Sequence, residues 1–393
     1  MNWLRQRDIA IIGYAETKLT RRSGRSVLEL AGEVLRSLTE RTGIEAERID
    51  GLATTQAWSE AGNPFYTSSL AEGLGLSLTW SQVTDIGGAS PVGNVARAAA
   101  AIRAGMCEMV LCLNADAVST QDFGRQTWYR TEFLEPAGFS GPLVEFAMLT
   151  NAYAHRYGSP DAALAKLAVT QRQGALNNEL ACEVLRRPLS EQDYLDSKFV
   201  SRPLRLLDCV MRCDGANGVL VTSTRLAREL GAKKMVHPIA YRERVNFDAR
   251  QTVEDITLSG FSEVGPKVLA DAGMRARDVR MFHPYDDFLI VMPMKLEHIG
   301  FCGPGEGAHF ILEHDIGPTG DLPINTGGGQ ISAGQPGLAG GGVNLVEAVR
   351  QLFGEAGSRQ VPDARNALVT GMGGVQYVRN WANSCAMILE PGA

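Results

Sequence analysis

No apolar run in the sequence approaches the roughly 18–20 residues that a membrane-spanning helix requires, so no span is predicted. Basic residues are not in excess: 38 Lys and Arg stand against 44 Asp and Glu, a formal net charge of −6. Nucleic acid and anionic membrane surfaces are therefore poor candidates for a main partner, and any phosphate site must be a local cluster of arginine or lysine. The six histidines show no HExxH or similar ligand spacing, which argues against a metal site. The seven cysteines (107, 112, 182, 209, 213, 302 and 385) are odd in number and scattered. Cys209 and Cys213 stand four apart, but no second Cys/His pair completes a zinc-ribbon spacing. They read as reduced structural thiols, in keeping with a cytoplasmic protein. The glycine-rich stretches GGASPVG and NTGGGQ lack the Gly-Lys-Ser/Thr of a nucleotide loop. The N-terminal apolar stretch is too short for a secretory signal core and reads as a first strand.

What is present is a long alternation of strands and helices in a chain of 393 residues, enough for one large or two medium domains. An apolar run at 8–14 precedes an amphipathic helix near 25–41, and a strand at 49–56 follows. A glycine turn then feeds a small-residue helix from about Ser90 to Ala104, followed by a strand at 107–115. Such alternation predicts an α/β protein with largely parallel strands. From about 117 to 205 the rhythm breaks into helices rich in Arg, Tyr and Gln, read as an inserted lid over a site. The second half repeats the first: strands at 235–245 and 281–286, helices at 262–273 and near 287–299. A further strand at LPIN, a glycine turn and a small-residue helix follow, then two closing apolar strands. The repetition suggests internal duplication, with the two Ala/Gly-rich helices at the buried centre. The predicted division is 1–234 and 235–393.

Four stretches, AHRYG, RPLRLLDCVMRCDGANGVLVTS, NTGGGQISAGQP and VTGMGGV, occur in an order and spacing that resemble the thiolase superfamily, within it the sterol-carrier-type thiolase-like proteins. The resemblance implies a five-layered αβαβα thiolase fold of two similar halves with an inserted helical loop domain. It also implies a homodimer and an acyl-CoA ligand, CoA entering as part of the substrate and no further cofactor.

Against that family the chain lacks its reactive groups. The nucleophilic cysteine's place, at a helix N-terminus that favours the thiolate, is Gly88 in GGASP; Ser90 lies two residues on. The family's GHP turn reads Gly334-Gln335-Pro336, and an amide cannot act as a base. The C-terminal thiolase cysteine corresponds to about Val369, while Cys385 reads as core. The sterol-carrier-type His-Asp-Cys-Phe element is Tyr285-Asp286-Asp287-Phe288. With the glycine scaffold kept, the backbone N–H groups at Gly88, Gly371 and Gly373, with Gln335, are predicted to hold a thioester oxygen. Such a hole stabilises an enolate without any acyl-enzyme. Tyr285 and Asp287 are the predicted acid–base pair, with Asp286 as orienter and Tyr241 as a further candidate. Either aspartate would otherwise cap a helix. Arg202, Arg205 and Arg212 are the arginines available to CoA phosphates.

The pattern resembles the bacterial steroid side-chain aldolases, thiolase-like proteins without the cysteine and histidine. That likeness implies retro-aldol cleavage of a β-hydroxyacyl-CoA, a 17-hydroxy steroid-CoA giving a 17-ketosteroid and propionyl-CoA. It further implies an OB-fold/zinc-ribbon partner, fused to or associated with a MaoC-like hydratase, in a heterotetramer. The chain departs from it at Gln335, where those aldolases carry a tyrosine. The competing readings are a thiolase or acyltransferase using another nucleophile such as Ser90, and a non-catalytic lipid carrier or scaffold subunit.

Overall fold

Strongly apolar stretches bounded by glycine, proline and aspartate form nine strands in one mixed sheet: β1 (Ile9–Glu16), β2 (Gly51–Thr55), β3 (Trp80–Thr84), β4 (Met109–Asp116), β5 (Gly215–Ser223), β6 (Val236–Val245), β7 (Met281–His283), β8 (Ala367–Met372) and β9 (Asn383–Pro391). The computed structural model describes residues 4–121, 135–139, 141–247, 255–376 and 380–392. The strand order is β3-β2-β4-β5-β1-β6-β9-β8-β7.

The duplication seen in the sequence is visible in this order. In the first half, β2 runs parallel to β3 and β4, while β5 is antiparallel to β4 and β1. In the second, β7 runs parallel to β8, while β9 is antiparallel to β8 and β6. The halves meet at one residue pair, Ile11 with Val236. The place of β3 belongs in the second half to LPIN, where the predicted strand shrinks to a single parallel bridge between Phe282 and Ile324. Pro323 has no N–H for a ladder; its carbonyl instead accepts the Phe282 N–H at 2.9 Å. With that edge included, both halves have the same order and the same strand directions.

Helix α1 (Val27–Thr42) starts on a capping box between Ser26 and Glu29 and ends at Gly43 in the left-handed conformation. The small-residue helix α2 (Ser90–Arg103) lies between β3 and β4. Next come α3 (Pro142–Tyr157) and α4 (Asp161–Leu176) of the insertion, then α5 (Phe261–Ala272), α6 (Val291–Ile299), α7 (Gly329–Ala333) and the second small-residue helix α8 (Gly340–Leu352). Every residue of α8 is buried. Three apolar clusters separate the layers: α1 against the outer face of the first half, α2 and α8 between the halves, and α5 and α6 outside the second. This gives the five-layered αβαβα thiolase arrangement. A side-chain ladder fastens its centre: Asn94 donates to Asn114 (3.2 Å), Asn114 to Asn217 (3.0 Å), and Asn217 to the Ala339 carbonyl (3.0 Å). Among the described residues no helix is long and apolar enough to cross a membrane.

Candidate active site

The Tyr285-Asp286-Asp287-Phe288 element leaves the end of β7, which stops at His283, short of the predicted 281–286, because Pro284 breaks the ladder. The Pro284 carbonyl is held by the amides of Asn325 (3.0 Å) and Asn344 (2.6 Å), and the Tyr285 N–H donates to Thr370 on β8 (3.1 Å). Anchored so, the Tyr285 ring runs to the start of α2. A β-carbon built on Gly88 would overlap the ring and its hydroxyl. The phenol therefore fills the volume of the missing side chain at 88. Gln335 completes the junction, its Nε2 donating to the Tyr285 hydroxyl at 3.2 Å. Tyr285 is only 4% exposed. Burial, then the Asp287 charge, raises its phenol well above its ordinary value, so it keeps its proton at neutral pH.

The two aspartates differ sharply. Asp286 is buried and saturated: it accepts the Gln330 N–H (2.9 Å), the Ile331 N–H (3.4 Å), the Asn344 amide (3.2 Å) and the Gln171 amide (2.7 Å). It caps a helix, α7, though not the one next in sequence. Burial pushes its carboxyl up to about 6 despite these donors. Asp287 is half-buried, and its buried Oδ1 has no hydrogen-bond partner. Burial pushes it upward too, while Lys295 pulls it back. A partly accessible carboxylate beside a neutral phenol is suited to moving protons near neutrality.

Residues 209–213 lace these parts together. The Val210 N–H bonds the Asp287 carbonyl (3.1 Å), the Gln335 N–H bonds the Met211 carbonyl (3.0 Å), and the Cys213 N–H bonds the Gln335 carbonyl (2.9 Å). Two helices of the insertion touch the same place: Gln171 of α4 reaches Asp286, and Phe146 of α3 stacks on Phe288 with centroids 4.0 Å apart. Residues 122–134 and 140 of the insertion lie outside those described.

Other predicted members are placed differently. Gly88 stands in the first turn of the 87–103 helical segment, where backbone N–H groups lack intrahelical acceptors. The Gly373 N–H, by contrast, is taken by the Asn383 carbonyl (3.0 Å), and Gly371 lies opposite Cys385 within the β8–β9 pair. Of the predicted donors, the Gly88 turn and Gln335 are at the phenol; Gly371 instead packs against Ala89 as a spacer. Tyr241 does not join Tyr285: its hydroxyl bonds Glu243, itself clamped by Arg97 through two 3.0 Å bonds. Ser90 is buried, and its hydroxyl accepts the Ile86 N–H (3.0 Å), tying the turn together. Cys385 is core against the Ala89 carbonyl, and Val369 pairs with Met387. His283 is fully buried, neither ring nitrogen is bonded, and burial pushes it down to about 4.

Two residues escaped the sequence reading. Gln171 gives no signal, its role depending on a helix far away in the chain. Lys295 does give one: it lies four residues from both Val291 and Ile299, on the apolar stripe of α6. Beside the site, Arg21, Arg172 and Arg212 with Leu185, Leu206 and Met211 line a cavity of about 420 Å³. Arg212 is thus near the site. Arg205 bonds the carbonyl oxygens of Leu195 and Ser197, and Arg202 lies over the Phe199 ring.

Residues 243–390 match the family described as Thiolase C-terminal domain-like. The chain is 31% identical over 382 residues to the 17-hydroxy-3-oxo-4-pregnene-20-carboxyl-CoA lyase of Mycobacterium tuberculosis, covering 93% of this chain and 96% of the relative. It is 31% identical over 387 residues to the steroid side-chain-cleaving aldolase of Thermomonospora curvata, covering 93% and 95%. A solved structure described as an Ltp2-ChsH2(DUF35) aldolase matches with a TM-score of 0.82 at 28% identity, over 97% of each chain.

Proposed function

Since this chain belongs to the thiolase superfamily, among its side-chain-cleaving aldolases, and is a carbon–carbon lyase acting on a CoA thioester, we propose that it cleaves a 17-hydroxy steroid-CoA to a 17-ketosteroid and propionyl-CoA. The observation that carries this reading is the Tyr285 phenol lodged where residue 88 would place a nucleophile. A site so filled has nothing to acylate and a proton carrier in its stead.

In the proposed reaction Asp287 takes the proton of the tertiary hydroxyl. The C–O bond becomes a carbonyl as the bond to the thioester's α-carbon breaks, and that electron pair forms the enolate. Backbone N–H groups of the Gly88 turn steady the enolate oxygen. Tyr285 gives its proton to the α-carbon and recovers one from Asp287, which restores the site. Gln335 fixes the phenol, and Asp286 fixes the turn that carries Gln335. CoA is part of the substrate, and no further cofactor enters these steps.

The relative described as an Ltp2-ChsH2(DUF35) aldolase supports a DUF35-type partner for this chain, the OB-fold/zinc-ribbon protein that the sequence resemblance implies, bound to a homodimer of the thiolase fold. The test is an assay of the chain co-expressed with such a subunit on a 17-hydroxy steroid-CoA thioester. The expected products are the ketone and propionyl-CoA, and Tyr285→Phe should lower kcat about 100-fold or more without unfolding. Undiminished turnover in that variant, or an acyl adduct found by intact mass on any residue, overturns the reading.

A further inference from the structure

Lys295 is among the largest fully buried side chains of the molecule. It projects from α6 between α5 and the turn that carries the phenol. Its ammonium donates to the Tyr285 carbonyl and lies 4.8 Å from the Phe261 ring centroid and 5.8 Å from that of Tyr285. Taking an ammonium out of water costs several kcal/mol unless an opposite charge and good hydrogen bonds compensate. The neighbouring positions of α6, Met292, Met294 and Leu296, are all buried apolar side chains. A methionine or leucine would fill 295 at no such cost. Asp287 shows the complementary anomaly, a buried carboxylate oxygen without a donor. Departures of this kind from good core design are expected where a site needs them.

We propose that Lys295 is a positioning residue for the cleavage: its buried ammonium is the counter-charge that holds Asp287 as a carboxylate beside the Tyr285 phenol. This rests on the assignment of Asp287 as base. Lys295 reaches the turn of Asp287 through its bond to the Tyr285 carbonyl. The groups linked to Asp287 by charge are Lys295 of α6, Asp286 and Tyr285 in its own turn, and the Cys209 thiol of the 209–213 segment. Lys295 is faced by Asp287 and Asp286 and by the Cys385 thiol of β9. Burial draws Lys295 down and pushes Asp287 up, and each charge opposes the other's shift. Among these groups Lys295 is the one cation, so its removal leaves Asp287 with acidic neighbours alone.

The experiment compares pH profiles of kcat for the complex carrying wild-type chain, Lys295→Met, Lys295→Gln, Asp287→Asn or Tyr285→Phe, each checked for melting temperature and partner binding. Without the counter-charge Asp287 ionises at higher pH, so the acid limb should move alkaline by about one unit or more. Turnover at pH 6.5 should then fall roughly tenfold and recover at high pH. Lys295→Gln keeps a donor for the Tyr285 carbonyl but no charge, and should shift as Lys295→Met does. A loss that is uniform across pH, an unshifted limb, or wild-type behaviour of Lys295→Gln overturns the proposal. If Asp287→Asn or Tyr285→Phe turns over normally, the reading of the site falls instead.

Discussion

At the scale of single residues, Gly88 and Tyr285 are one unit. The ring occupies the space of any side chain at 88, so each identity makes sense only with the other. Gly88→Ala should displace the ring, costing about 1–3 kcal/mol of stability through overpacking and about 100-fold in turnover through misplacement of the phenol. Pairing it with Tyr285→Ala should recover most of the stability, and a double-mutant cycle on denaturant midpoints measures that coupling. The members of this junction were legible because each stands where the thiolase pattern carries a reactive group. Their fit was not, since no local pattern reports that a phenol's volume equals a missing side chain two hundred residues away. Lys295 is the reverse case: its spacing from Val291 and Ile299 sets it on the apolar stripe of α6, but a lone lysine ordinarily reads as a solvated face, and only the packed partner surface shows it buried.

At the scale of elements, the two small-residue helices and most strands lie within a few residues of where periodicity puts them. The expectation of largely parallel strands fails, because β1, β5, β6 and β9 in the middle of the sheet pair antiparallel. Two smaller misses have local causes: Pro284 ends β7 early, and Pro323 reduces LPIN to a bridge. Asp286 shows what local reading misjudges, because it caps α7, more than forty residues on, and thereby sets the Gln335 turn. Its folded pKa, pushed by burial up to about 6, lies above the ordinary carboxylate value near 4. The stability it contributes is thus fully present below about pH 4 and is lost as pH rises through about 6. Asp286→Asn should cost about 1–3 kcal/mol through a mismatched donor and abolish that slope. Melting curves from pH 4 to 8 should show the gap between the two proteins narrowing as pH rises.

At the scale of the whole molecule, a buried charge network ties the halves. Glu347 of α8 accepts from Arg350 (2.6 Å), Arg359 (3.0 Å) and Thr326 (2.9 Å), and Arg350 also bonds Glu16 of β1. Burial alone would raise Glu347, but Arg350 and Arg359 outweigh it and bring the carboxyl down to about 2. Its stabilisation is therefore present above the usual glutamate range and is lost as pH falls through about 2. Glu347→Gln should destabilise by about 3–5 kcal/mol, as breaking a buried pair does. Urea midpoints measured from pH 3 to 7 should also depend less on acid in that variant. The repeated strand order has its own consequence. The seat at residue 88 comes from one repeat and the ring that fills it from the other, so ancestral copies that once varied independently are here bound to a common history. A lone Gly88→Cys substitution would collide with the phenol, so neither position can change freely without the other.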